Sequence, residues 1–116
     1  MATVILVRHG RSTANAKGVL AGRTPGVELD DTGHQQAART GERLGTVPLM
    51  RMVCSPMQRC RQTSEAILTR QQSPATEQID EDLNECDYGQ WQGRTISELA
   101  QEPLWSVVQT HPSAAV

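Results

Sequence analysis

The triplet Arg8-His9-Gly10 sets an imidazole between a guanidinium and a residue with no side chain, and Ser12 and Asn15 follow closely. Much later, Ser55-Pro56-Met57-Gln58-Arg59 brings a second arginine after a serine–proline pair. These residue types suit the transfer of a phosphoryl group to a protein side chain. That step needs a nucleophile, cationic donors for the equatorial oxygens and a proton for the leaving oxygen. His9 offers a ring nitrogen as the nucleophile. Arg8 and Arg59 offer planar forks that match phosphate oxygens two at a time. Ser12 and Asn15 add neutral donors, and Gly10 and Gly22 let the backbone come close to a ligand.

Residues so far apart act together only if the fold brings them to one place. Thr3–Val7 is a continuous β-rich apolar run, predicted to be a strand buried on both faces of a parallel sheet. It stops in a polar loop, Arg8 to Ser12, and Asn15 to Pro25 reads as irregular. Asp31-Thr32 offers caps, and Thr32 with Gln35 makes a capping box, for a helix over Gly33–Leu44. Ala37, Gly41 and Leu44 share one face of it, which predicts close packing through small residues.

Leu49–Cys54 is predicted to be a second strand. Ser55 then serves as N-cap and Pro56 as the first position of a helix with Met57, Cys60, Ser64, Ile67 and Leu68 on one face. Thr76–Ile79 is predicted to be a third strand, Asp80–Gly93 an irregular acidic loop, and Thr95 with Glu98 a capping box for a short helix ending near Pro103. The order β, loop, α, β, α, β, α indicates an α/β fold: a three-layer, open, mostly parallel sheet with crossover helices. In such sheets the ligand crevice lies outside the carboxyl ends of the strands. Arg8-His9-Gly10 and Ser55–Arg59 both lie there. Arg59 also falls in the first turn of its helix, where free N–H groups favour an anion.

The totals narrow the classes. The 116 residues fit a single domain over 1–116 or part of a larger one. A formal net charge of -2 argues against a nucleic-acid partner. The longest apolar run, Val4 to Val7, is too short for a membrane span and lacks the flanks of a signal peptide. Cys54, Cys60 and Cys86 are odd in number and form no C-x-x-C pair, which points to reduced, mostly buried thiols and a cytoplasmic protein. No cluster of ligating residues calls for a metal, and the proposed chemistry needs no cofactor. His34, His111, Arg11 and Arg61 read as surface residues; Arg23 reads as solvated or at the mouth of the pocket.

At this point the residues resemble a known family. Leu6-Val7-Arg8-His9-Gly10-Arg11-Ser12-Thr13-Ala14-Asn15 is similar to the signature of the histidine phosphatase superfamily, which includes the phosphoglycerate mutases. Leu29-Asp30-Asp31-Thr32-Gly33, Ser55 through Thr63 and Leu83 through Gly93 resemble three further blocks in the family's order. The resemblance implies a phosphohistidine at His9 and a phosphate held by Arg8 and Arg59 with help from Asn15 and the Gly22 backbone. It implies Glu85 as the general acid, with Asp87 as its rival in the same loop. Tyr88 would cover the pocket.

The family also places a second histidine on a later strand. No block here matches it, and His111-Pro112 is not assigned that role. The chain is therefore expected to be the N-terminal half of a longer protein, incomplete for activity by itself. The implied reaction is hydrolysis of a small phosphorylated metabolite. A phosphoglycerate mutase-type phosphomutase and a catalytically silent phospho-ligand binding domain are the alternatives. Gly93 runs almost directly into the capped helix at Thr95, leaving no room for the basic insertion that mutases carry, which favours the phosphatase branch. Homodimers are common among such folds, so the analogy allows a homodimer, but the sequence itself is silent on oligomeric state and no patch argues for one.

Overall fold

The computed structural model describes residues 3–102. Strands β1 (Arg51–Cys54) and β2 (Thr76–Ile79) pair in parallel, from Arg51 opposite Thr76 to Cys54 opposite Ile79. Parallel neighbours need a crossover connection, and the helix α3 (Gln58–Leu68) supplies it. Before them come α1 (Thr13–Lys17) and α2 (Asp31–Leu44); after them come single 3-10 turns at Glu81–Leu83 and Gly89–Trp91 and a short α4 (Ile96–Leu99). The fold is α/β with a parallel sheet, as the order of elements predicts.

The small residues of α2 meet α3. Ala37 and Gly41 on α2 are buried, as are Thr63, Ser64 and Ile67 on α3. Leu29, Cys54 and Leu99 complete the buried apolar set with Ala14. At the other end of α2, Gly33 stands against the backbone of Arg11, where a Cβ would collide with the Arg11 carbonyl oxygen. Arg11 and Asp30 are joined further by Asp30 N–H donating to Arg11 O at 3.0 Å. The segment after His9 is thereby fixed to the start of α2.

Four local expectations are corrected. Thr3–Val7 forms no strand, and Val4 and Leu6 are 77% and 92% exposed. Apolar, β-branched composition makes a strand only against a neighbour, and the described residues place none beside this run. The second strand is shorter than Leu49–Cys54, beginning at Arg51. Helix α2 starts at Asp31 and is capped by Asp30, whose Oδ1 takes the Gly33 N–H at 2.7 Å, so the cap falls before Thr32. Helix α3 starts at Gln58 with Met57 as its extended N-cap; Ser55 Oγ accepts from Met57 N–H at 3.4 Å. The Ser55 hydroxyl closes a local turn before the helix begins, which leaves Pro56 outside it.

Thr76–Ile79 and the cap at Thr95 agree with expectation. Thr95 Oγ1 accepts from Glu98 N–H at 3.3 Å. The Glu98 carboxylate turns instead to Arg94 at 3.6 Å, and α4 ends at Leu99. Pro103 and His111 lie outside the described residues. Of the three thiols, Cys54 is buried, Cys60 half-buried and Cys86 exposed.

Candidate active site

His9 is half-buried in the segment that leads into α1. Its Nδ1 lies 2.7 Å from Gly10 O. A carbonyl oxygen only accepts, so Nδ1 is the donor, and the tautomer that fits this contact has its lone pair on Nε2. That is the tautomer a nucleophilic histidine needs. With Arg8, Gly10 and Thr63, His9 lines a cavity of about 200 Å³ walled by Gln36, Ala37 and Thr40 of α2.

Arg59 sits in the first turn of α3 and is buried despite its charge. Its Nη2 donates to Gly22 O at 3.0 Å and lies 3.5 Å from Glu85 Oε2. Gly22 has φ +52, a conformation that glycine adopts without strain, and a Cβ there would run into the Gln92 side chain. A buried cation whose side-chain partners among the described residues are one carbonyl and one half-exposed carboxylate retains donor capacity for an anion. Glu85 reaches this guanidinium, whereas Asp87 Oδ1 accepts from Gly89 N–H at 2.9 Å and shapes its own turn.

Thr63 ties the two groups together. Its Oγ1 accepts from Gly10 N–H at 3.1 Å and donates to Arg59 O at 2.9 Å. One hydroxyl thus links the histidine segment to the turn of α3 that carries Arg59. The loop from Glu85 is tied as firmly to the segment around Gly22. Arg23 Nε donates to Glu85 O at 2.6 Å, Gly93 N–H to Leu20 O at 2.9 Å and Leu20 N–H to Arg94 O at 2.9 Å.

The other predicted residues fall differently. Ser12 is the buried N-cap of α1, and Asn15 is its partner. Ser12 Oγ accepts from Asn15 N–H at 3.1 Å, and Asn15 Oδ1 accepts from Ser12 N–H at 3.0 Å. This reciprocal box is the first role the structure gives both side chains, in a stretch read as irregular. Arg8 is exposed at the cavity beside His9. Tyr88 is half-buried near Glu85, and its phenol is pushed up by burial and then by the charges of Glu85 and Cys86.

Burial also raises the Cys60 thiol, helped by Glu85 and opposed by Arg59 and a hydrogen bond with Ser55. A thiol held in its protonated form is a poor nucleophile, so Cys60 does not compete with His9. Sequence reasoning missed Thr63. The signal for Thr63 was its place four residues after Arg59, on the same face of a helix.

Over residues 4–115 the sequence matches the histidine phosphatase superfamily (branch 1). The chain belongs to this family. An adenosylcobalamin/alpha-ribazole phosphatase of Salmonella typhimurium is 34% identical over 97 residues, covering 84% of this chain and 46% of that protein. A 2,3-bisphosphoglycerate-dependent phosphoglycerate mutase of Brucella ovis is 35% identical over 113 residues, covering 94% of this chain and 53% of that protein. Among solved structures, a putative alpha-ribazole-5'-P phosphatase from Escherichia coli is similar with a TM-score of 0.78 and 29% identity, over 95% of this chain and 54% of that one. This member of the superfamily thus spans about half the length of the relatives it matches.

Proposed function

We propose that the protein is a phosphomonoesterase acting on a small phosphorylated metabolite through a phosphohistidine. His9 Nε2 attacks phosphorus, the bond to the ester oxygen breaks, and Glu85 in its carboxylic acid form gives that oxygen a proton and is left as the carboxylate. Water, deprotonated by the same carboxylate, then attacks phosphohistidine and releases inorganic phosphate, restoring the imidazole. Arg8 and Arg59 hold the equatorial oxygens throughout. The observation that carries this reading is the buried Arg59 guanidinium, poised between the Gly22 carbonyl and the Glu85 carboxylate. The first function of Ser12 and Asn15 in this reading is to shape the loop after His9, with Tyr88 beside the entrance.

A phosphatase and a mutase match at nearly equal identity, so identity does not choose between hydrolysis and mutase chemistry. The acid loop favours hydrolysis. Its end is pinned by the Val19–Thr95 bridge and the Gly93 bond to Leu20, with no basic insertion before α4. The residues form a single domain in this reading, with a cytoplasmic location carried as an expectation from the reduced thiols and a homodimer allowed by analogy alone. Among the described residues no helix is long and apolar enough to cross a membrane.

The test is hydrolysis of an aryl phosphate by full-length protein and by His9→Ala, with acid-labile phosphate on the protein followed in parallel. Loss of both signals in the variant is expected; equal hydrolysis by both proteins would falsify the assignment. Conversion of 3-phosphoglycerate to 2-phosphoglycerate at a rate matching hydrolysis would favour the mutase reading instead.

A further inference from the structure

Gln92 carries no role in the chemistry described so far, yet its side-chain oxygen lies where two loops of the site meet. Gln92 Oε1 accepts from Arg23 N–H at 2.8 Å and from Tyr88 N–H at 3.3 Å. Both donors are backbone amides, which only donate, so the oxygen is the atom that must face them.

The Arg23 N–H belongs to the same peptide unit as the Gly22 carbonyl. That carbonyl receives Arg59 Nη2 at 3.0 Å. The unit is trans, so its two polar ends point in opposite directions. Gln92 holds one end and Arg59 the other. Hydrogen bonds in such a chain polarise one another, so the Gln92 bond strengthens the carbonyl as an acceptor for Arg59. Gly22 lets the Gln92 side chain lie against the turn, since a Cβ there would occupy the space of Gln92. The second bond, to Tyr88, fixes the loop that carries Glu85, and Arg23 Nε returns to Glu85 O at 2.6 Å.

We propose that Gln92 is a positioning residue for phosphoryl transfer, setting the Gly22–Arg23 peptide that orients Arg59 and fixing the Glu85 loop beside it. The inference rests on the proposed phosphatase site. Gln92 acts only as an acceptor in both bonds, so a carboxylate of the same length serves as well, and an apolar chain of similar size does not.

The experiment compares full-length wild type with Gln92→Glu and Gln92→Met at a temperature well below the melting points of all three. Aryl phosphate turnover gives kcat and KM, and calorimetric titration with inorganic phosphate reads the Arg59 cradle without turnover. Displacement of catalytic groups by an ångström costs up to about 100-fold, so Gln92→Met is expected to lose about 10- to 100-fold in kcat and to bind phosphate more weakly. Gln92→Glu is expected to stay within about threefold of wild type in kcat, because it keeps the acceptor that both amides need.

If Gln92→Met binds phosphate and turns over like wild type, or if Gln92→Glu falls as far as Gln92→Met, the assignment is overturned. Phosphate binding that depends on the Gln92 acceptor, in a wild type that hydrolyses no ester, would sink the phosphatase reading and leave the Gln92 assignment standing.

Discussion

Arg59 Nη2 and Glu85 Oε2 lie 3.5 Å apart, the guanidinium buried and the carboxylate about two-fifths exposed. At that separation the contact is at the long limit of a hydrogen bond and its carboxylate side is open to solvent, so a phosphate dianion displaces it readily. The same side chain therefore plays two opposed parts. In its carboxylic acid form it supplies a proton to the leaving oxygen, and as a carboxylate in the free protein it occupies the donor that phosphate needs.

Glu85→Gln separates these parts. Loss of the proton donor is expected to lower kcat on an alkyl ester by about 100- to 10,000-fold. Loss of the negative charge is expected to tighten inorganic phosphate several-fold, since one unit charge at this range is worth about 1 kcal/mol even in a water-like dielectric. Steady-state kinetics and calorimetry on the same variant check both signs. Weaker phosphate binding in Glu85→Gln would mean that Glu85 does not compete for Arg59.

Thr63 is the joint between the histidine segment and Arg59, so its hydroxyl matters to both stability and rate. Thr63→Val keeps the shape but leaves the buried Gly10 N–H without its acceptor. An orphaned buried donor costs about 1–3 kcal/mol, which urea denaturation resolves. Thr63→Ser keeps the hydroxyl and is expected to lose much less of both stability and kcat. If valine and serine behave alike, the hydrogen bond is not what holds Gly10.

How far the sequence disclosed this arrangement depends on the range of the contacts involved. The strand at Thr76–Ile79 and the cap at Thr95 were legible because each is written in a few adjacent residues. The starts of α2 and α3 were misplaced by two residues because several polar side chains offered caps and tertiary contacts chose among them. Asp30 won its cap while paired to Arg11, a residue far back in the chain. Arg8-His9-Gly10 and Arg59 stood out by residue type, but the Gly10–Thr63–Arg59 link joins residues 53 apart and leaves no local pattern. The Val4–Val7 run shows the opposite failure, with a strand-like pattern lacking a strand partner among the described residues.

Gly33 tests how tightly the histidine segment is seated. Replacing a helical glycine by alanine ordinarily stabilises a helix by about 1 kcal/mol. Here the new methyl would collide with the Arg11 carbonyl, a backbone atom that cannot rotate away. Overpacking of that kind costs about 1–3 kcal/mol, so the sign reverses. Gly33→Ala is expected to melt at a lower temperature and to lose activity, because relief moves Arg11 and the adjoining His9. A higher melting temperature would show that the segment gives way freely.

The Asp30 cap makes stability depend on acid in a definite direction. Burial raises its carboxyl, but the Gly33 amide, the Arg11 hydrogen bond and charge, and the Thr32 amide outweigh this and hold it below the ordinary aspartate value. The folded protein therefore keeps this group ionised at a pH where the unfolded chain binds a proton. Its contribution is fully present above the unfolded value, about 3.9, and is lost as the pH falls through the lower folded value. Asp30→Asn keeps a cap oxygen but removes the titration and the attraction to Arg11. In urea titrations the wild type is expected to exceed the variant by a constant margin at pH 7 and 5. That margin should shrink at pH 3, and it should also shrink in high salt, because the Arg11 side chain is exposed and its charge is screened. A margin that stays the same from pH 7 to pH 3 would show that the Asp30 carboxylate contributes nothing through its charge.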